Sequence, residues 1–465
     1  RASLEDSIII DENSTFVNNG TLLTNEDINF DNLTKAKGSS FQVTSSSIIA
    51  GNSFSGNIVA NSEIVTSNEN LREYSTRNSF LGEDNGLTVA SGSYMFNANT
   101  FRSPSSSGSI GIVMSMRDFN DIMEDKKLGD YLSSNYDNGN RVAMFNRMKV
   151  ATHKAQYDKI VNDELGLDFV PSLAKQNMDF NRDFTAQLND EIFENLKNSR
   201  KDFITGIQYY HHRNSSYDGL EGYKSNGSNL YSLYNEDVSN TVNYGLGMSI
   251  GTNTSKFDDD SSTYQAMAQV YVPVALSSGD TTFVTMPQFG AGYGRYKRKV
   301  EGDKTHRANI SSYTYGVSNQ LRRGFEFEGL TIEPVAEINV LGLYSGKIKE
   351  KDNMFVKSQN AVSIEGGLGL YLGKSIEYAN SSTLRLRFGG TYYREMNNPY
   401  QRISAGFADA DGYYNMHGYS NSRDRGVISL KADYGWKQFN FYVKAAEYIE
   451  KNSNFSLQGG MNYKF

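Results

Sequence analysis

Side chains able to do covalent or metal chemistry are sparse in this 465-residue sequence. It has no cysteine, which removes disulfide scaffolds and Cys-based zinc sites. The five histidines, His153, His211, His212, His306 and His417, stand outside Gly-x-Ser-x-Gly, His-Glu-x-x-His and Cys/His patterns. No catalytic framework or cofactor is implied, and the chain is expected not to be an enzyme. The pair His211-His212 falls near a strand end, where an interfacial position outweighs rim catalysis. Asp258 to Asp260 lack the spaced ligands of a calcium loop and read as a short turn. The basic run Arg295, Lys297, Arg298 and Lys299 falls at a strand end and reads as a solvated loop in preference to a contact with anionic lipopolysaccharide. The remaining chemistry is electrostatic. Arg322, Glu333, Glu337, Asn339, Glu365, Arg385, Arg387, Lys431, Asp433 and Lys444 occur singly among small residues, and Asn181, Arg182, Asp183 and Gln187 mark the polar face of a helix. Such groups could pair across an enclosed space, or within its wall alone.

Composition restricts what could hold them. With 53 acidic and 46 basic residues mixed along the chain, net charge −7, there is no basic stripe for nucleic acid. No run approaches the roughly 20 apolar residues of a membrane helix. The mean hydropathy of −0.56 does not exclude a membrane barrel, where only alternate residues face lipid. Arg1 does not open a secretory signal, so the chain reads as a fragment or processed form. Its length suggests two or three domains.

Four regions follow. Residues 1–110, rich in Asn, Ser, Thr and Gly, carry apolar pairs and triplets such as Ile8 to Ile10, Phe16-Val17, Leu22-Leu23, Ile48-Ile49 and Ile58-Val59, which predict very short strands in a stacked β-solenoid. Residues 111–172 form a helical spacer, with Phe119, Ile122, Met123, Met144, Phe145, Met148 and Ala151 at helical spacing and a break at Asn138-Gly139. Residues 173–200 form a linker helix behind Pro171, with Phe180, Phe184, Leu188, Ile192 and Leu196 on one stripe. Its other face, including Asp190, Glu191 and Glu194, needs water or a polar lining.

Residues 201–465 alternate. Tyr244, Leu246, Met248 and Ile250 oppose Asn243, Gly245, Gly247 and Ser249, and Ile428, Leu430, Tyr434 and Trp436 oppose Ser429, Lys431, Asp433 and Gly435. A soluble sheet would put large polar residues on its second face. Glycine, serine and isolated charges there suit a wall curved around a narrow lumen, with the large apolar residues in lipid. Closure is obligatory, since an unpaired edge in hydrocarbon leaves backbone groups without partners. The runs number about twelve, a bore near the width of one helix, which the linker helix could fill. Tyr209, Tyr264, Tyr293, Tyr296, Tyr313, Tyr344, Tyr392 and Tyr434 would supply an interfacial girdle.

At residues 110–465 the chain resembles the C-terminal half of the autotransporters, the type V secretion proteins of Gram-negative bacteria. The resemblance is carried by Phe180-Asn181-Arg182-Asp183 before the first strand, by the twelve runs, and by the last strand, where Phe455, Leu457, Met461, Tyr463 and Phe465 alternate with Ser456, Gln458, Asn462 and Lys464. It implies a mainly β protein with a twelve-stranded transmembrane antiparallel barrel, a lumen-filling helix and the end of a β-solenoid passenger. It further implies that Met461, Tyr463 and Phe465 act as an outer-membrane insertion signal for the barrel-assembly machinery. The expected role is export and anchoring of the chain's own passenger, a surface adhesin meeting host-cell or bacterial ligands. Outer-membrane lipid and lipopolysaccharide would surround the barrel. Some relatives cut their linker at an Asn-Asn junction; here Asn177, Asn181 and Asn189 occur singly, against self-cleavage. The alternative is an outer-membrane channel or barrel enzyme with periplasmic upstream segments.

Overall fold

A computed structural model of the chain describes residues 2–3, 10–65, 70–104, 109–198, 201–217, 219–300, 304–351, 353–400, 402–418, 423–450 and 453–465. It divides into two units, Arg1–Leu165 with Asp409–Tyr414, and Gly166–Ala408 with Asn415–Phe465.

In the first unit, Thr15–Asn18 pairs parallel with Ser40–Val43, Thr21–Leu23 with Ile48–Ala60, and Ile48–Ala60 with Glu73–Ser91. Parallel pairing places like positions above one another, so Phe16 sits over Phe41 with ring centroids 5.1 Å apart and Ile49 pairs with Phe80. Phe30, Phe41, Phe54 and Phe80 fill the interior. Not all these strands are very short: Ile48–Ala60 and Glu73–Ser91 have 13 and 19 residues, and the ladder between them continues across register shifts at Ala50/Ser53 and Phe54/Gly56. The triplet Ile8 to Ile10 lies outside the described residues except for Ile10, which is buried.

Antiparallel strands Phe96–Arg102 and Ser109–Met116 end the parallel pattern. The predicted spacer boundary at 111 therefore falls inside a strand, in which Ser109 to Ile112 and Met114 are buried. Helices Phe119–Ile122, Lys126–Asp137, Val142–Val150 and Lys154–Leu165 follow. Asp118 and Asp125 cap the first two through their carboxylates, and Gly139, at φ +72°, makes the predicted break.

The second unit opens with a 30-residue helix, Phe169–Asn198, beginning four residues before the predicted 173 because Pro171 lies inside its first turn. Among the described residues, twelve strands then close a barrel: Lys201–Asn214 (β1), Tyr223–Ser239 (β2), Val242–Phe257 (β3), Ser262–Tyr271 continued by Val274–Ser278 (β4), Thr281–Val300 (β5), Lys304–Arg323 (β6), Leu330–Ser345 (β7), Gln359–Glu377 (β8), Thr383–Glu395 (β9), Asp424–Trp436 (β10), Phe439–Ile449 (β11) and Ser453–Lys464 (β12). Each pairs antiparallel with its neighbour, and β12 pairs with β1 from Lys464↔Asp202 to Phe455↔His211. Strand β4 is interrupted at Val272-Pro273 because proline has no N–H for the ladder; the carbonyl of Pro273 still accepts from Gly245 N–H at 2.8 Å.

Alternation sorts the two faces. Leu246, Met248 and Ile250 of β3 and Leu368 of β8 point outward, the last 70% exposed, while Asn243, Ser249, Ser363 and Glu365 are buried inside. Seven of the eight tyrosines expected in a girdle are exposed on the outer face. Tyr296 is the exception. It has the inward parity of its strand, packs on Phe169 and donates to Glu350 at 2.9 Å. One end of the barrel has short turns, including the Glu328-Gly329 hairpin with both residues at positive φ. The other end carries longer connections, 346–358 and 396–423 among them. In outer-membrane barrels generally, the longer loops are the extracellular ones.

Candidate functional site

The long helix lies in the barrel lumen. Its apolar stripe, Phe180, Phe184, Leu188, Ile192 and Leu196, joined by Phe193, packs against Ile204 and Tyr210 of β1, Tyr231 and Leu233 of β2, Met267, Tyr271 and Ala275 of β4, and Val284 and Met286 of β5. The opposite side of the bore is ionic. This division fixes the rotation of the helix about its own axis.

Two ionic layers hold the polar face. Towards the short-turn end, Asp190 pairs with Arg387 at 2.8 Å and also with Arg322 and Lys444. Glu194 accepts from Arg322 at 2.7 Å, pairs with Arg387, and lies 3.8 Å from Arg385; Glu191 pairs with Lys431 at 2.9 Å. The ring of Tyr371 carries the Arg322 and Arg387 guanidinium groups at 4.9 and 4.3 Å. Towards the loop end, Asp183 meets His212 at 3.1 Å and Arg425 at 3.7 Å. Arg182 reaches Glu450 at 2.9 Å and Glu365 at 3.5 Å. Asp179 accepts from Tyr223 at 2.6 Å and Tyr400 at 2.8 Å and pairs with Lys175. Buried ions persist only when paired and hydrogen-bonded, and removing one partner of such a pair costs about 3–5 kcal/mol.

The predicted lumen residues thus divide. Arg322, Glu365, Arg385, Arg387, Lys431 and Lys444 meet the helix directly. Asn339 lies 3.5 Å from Asn189. Glu337 accepts from Gln320 and Tyr393, and Asp433 pairs with Lys431, so both act within the wall. Glu333 is buried on the inner face of β7. Of the helix candidates, Arg182 and Asp183 contact the wall, Asn181 donates back to the carbonyl of Asn177 at 2.7 Å, and the side chain of Gln187 lies outside the described residues.

Arg425 and His212 escaped the sequence reading although parity points to them. Stepping back by twos from Lys431 reaches Arg425, and stepping forward by twos from Tyr210 reaches His212. The histidine pair is therefore split: His212 faces the lumen, while His211 stacks on Phe455 outside at 5.4 Å. The basic run is likewise strand, not loop. Arg298 is 1% exposed and pairs with buried Glu350 at 2.8 Å, while Arg295 and Lys299 are exposed on the outer face. The turn expected at Asp258 to Asp260 joins β3 to β4.

Met461 and Tyr463 pair across the closing seam with Thr205 and Phe203, and Phe465 donates its N–H to the carbonyl of Lys201 at 3.1 Å. Phe465 projects outward against Tyr463 and Tyr234.

At the loop end, Glu221 lies between β1 and β2. Burial, followed by Asp259, Asp168 and Asp258, pushes its carboxyl up to about 7. A raised acid stabilises the fold in its protonated form, so this contribution is complete below 4.5 and disappears as pH climbs to about 7. Glu221→Gln is therefore expected to slow proteolysis of the 215–222 connection at pH 8 and leave it unchanged at pH 4. Equal rates for variant and wild type at pH 8 would contradict this.

Comparison with known proteins agrees with this geometry. The family described as Autotransporter beta-domain matches residues 205–446. No curated protein matches the chain. Among solved structures, the translocator domain of the autotransporter NalP from Neisseria meningitidis is similar at TM-score 0.51 and 14% identity, covering 65% of this chain and 99% of that one. The beta domain of the Bordetella autotransporter Brka has TM-score 0.42 and 14% identity over 57% of this chain and 99% of its own. The transport unit of AIDA-I from Escherichia coli has 0.36 and 13% over 58% and 91%. With the family match spanning more than half of the sequence and a closed twelve-stranded barrel around a helix, the chain belongs to the autotransporters, and its C-terminal part is an outer-membrane translocator domain.

Proposed function

We propose that the barrel exports and anchors the chain upstream of it, and that residues 1–110 are the membrane-proximal end of a β-solenoid passenger joined through a helical spacer of about residues 111–172. The carrying observation is the direction of the lumen helix. Its C-terminal half meets β12 at the short-turn end, where Asn195 accepts from Asn462 at 2.9 Å, and its N-terminal half meets Tyr400 and Tyr223 at the loop end. Thirty helical residues span about 45 Å, enough to thread the bore. A chain threaded this way leaves through the loop end, on the cell surface. The parallel stacking of the first unit supports the passenger reading, and its Asn- and Ser-rich, cysteine-free composition supports an adhesive role toward host-cell or bacterial surfaces. The barrel-assembly machinery would read Met461, Tyr463 and Phe465, whose strand makes the closing seam.

Protease shaving of intact cells tests the display. The upstream region is expected to be lost while the barrel survives; protection of that region until the outer membrane is broken would sink the proposal.

A further inference from the structure

We infer that the outer face of strands β3–β6 is a binding site for a phosphorylated, acylated lipid of the outer leaflet, with its phosphates held by Lys297 and Arg307. The inference rests on the reading that the loop end of the barrel faces outward.

A cleft of about 900 Å³ at that end is lined by Arg295, Lys297, Arg307, Lys349 and Lys351, with Tyr264 beside them. Lys297 and Arg307 are direct cross-strand partners. Like charges directly opposite each other destabilise a sheet, so their juxtaposition has a cost that an anion between them would relieve. Among the described residues neither has an ion-pair partner. The one carboxylate among the described residues that line the cleft, Glu350, is already engaged by Arg298 at 2.8 Å and 3.0 Å. Among the described residues the cleft is therefore a concentration of positive charge with no free carboxylate, on a chain whose net charge is −7.

Height matters as much as charge. Tyr264, Tyr293 and Tyr313 are exposed on the same strands at the level of an aromatic girdle. Arg295 and Lys297 follow Tyr293 by two and four residues toward the loop end, about 7 and 13 Å along the strand. That places the cations in the headgroup layer. Below it, these strands together with β1 and β2 form an apolar groove of about 750 Å³, lined by Ala266, Ala268, Ala291 and Ser311 between Leu230 on one side and Tyr293 and Tyr313 on the other. Small side chains between large ones leave a channel on a surface that otherwise bulges into lipid. Cations above an acyl-sized groove match a phosphorylated lipid better than a free phosphate, which would need only the upper half. A guanidinium and an ammonium facing one another can each donate to the same phosphate, with Arg307 able to do so through two N–H groups.

The test uses the full chain purified in detergent, with bis-phosphorylated lipid A, its dephosphorylated form and inorganic phosphate as probes, read by native mass spectrometry. The wild type is expected to retain bis-phosphorylated lipid A. Dephosphorylation of the lipid, or the double substitution K297Q/R307Q, is expected to weaken retention on the order of tenfold or more, the loss of two charge-assisted contacts. The pair R323Q/K374Q, at the short-turn end, is expected to leave it unchanged. Equal retention by K297Q/R307Q, or equal weakening by R323Q/K374Q, overturns the site, as does displacement of the lipid by millimolar inorganic phosphate. Should the double variant fail to show the heat-dependent gel shift of a folded barrel, the comparison of the two lipid forms on wild type decides alone. Cell shaving of a tag in the 346–358 loop reads orientation separately: a surface-exposed tag with no preference for the phosphorylated lipid defeats the site and leaves the translocator reading intact.

Discussion

Asp190→Asn is expected to turn a quiet barrel into one that flickers open in planar lipid bilayers, with a lower unfolding temperature in detergent. Asp190 is the carboxylate shared by Arg322, Arg387 and Lys444, all buried. Neutralising it leaves three cations facing Glu191 and Glu194, and the cost of such uncompensated charge is about 3–5 kcal/mol. The apolar stripe opposes ejection. Six large apolar side chains against β1, β2, β4 and β5 contribute on the order of 10 kcal/mol at the upper limit. The comparison of these magnitudes predicts loosening with intermittent conductance, not a permanently open pore. Deleting residues 173–196 supplies the fully open reference. Asp190→Glu should remain quiet, and Lys444→Met in the Asp190→Asn background should recover part of the stability because one orphaned charge is removed. An Asp190→Asn barrel with wild-type conductance and unfolding temperature would show that the ionic layer does not hold the helix.

Gly389→Val is expected to block assembly of most of the protein, measured as loss of the heat-dependent gel shift after refolding and of barrel from outer-membrane fractions. A Cβ at Gly389 would lie 2.0 Å from Cδ1 of Tyr371 on the neighbouring strand, and 3.0 Å from Cγ, near the base of the ring, so a rotamer change at the phenol tip cannot relieve it. Overpacking of this kind costs about 1–3 kcal/mol by itself. Here the displaced ring also supports Arg322 and Arg387, so the substitution reaches the Asp190 layer from the wall side. Gly390→Val, the next residue along, is the control, because a Cβ there has only the carbonyl of Val427 within reach, at 3.8 Å. Equal yields for the two variants would contradict the account.

Much of the barrel was legible because a period of two is a strong signal over ten or more residues. In the runs Val242 to Gly251 and Ile428 to Trp436 the predicted apolar face is outward, with Tyr244, Leu246, Met248, Ile250, Ile428, Leu430, Tyr434 and Trp436 all exposed. The site was less legible. The polar face of the helix is evident from sequence, but which carboxylate meets which cation depends on strand stagger, a property of closure and not of any local segment. Arg425 shares parity with Lys431, and His212 has the parity opposite to the outward Tyr209, so pursuing parity to the strand ends would have found them. Arg298 and Tyr296 were misread for a different reason. Strand β5 continues as far as Val300, several residues beyond the expected membrane interface, and a dense basic sequence there hides the inward position of every second residue. The parallel stacking of the first unit produces no fixed repeat in sequence, since paired positions are separated by 25 residues at Phe16 and Phe41 but by 31 at Ile49 and Phe80.

The greasy half of the bore has a corollary for register. At the β1–β12 seam, β1 touches the helix through Ile204 and Tyr210, contacts that impose little directional demand, and through His212 at its loop end. The guanidinium and ammonium groups that recognise Asp190 and Glu194 reside on β6, β9 and β11, which pair with neighbours other than β1. Register of the helix can thus be set by the cation-bearing half of the wall, and the seam strand adds an oily face whose ionic contact, His212 to Asp183, lies near its loop end.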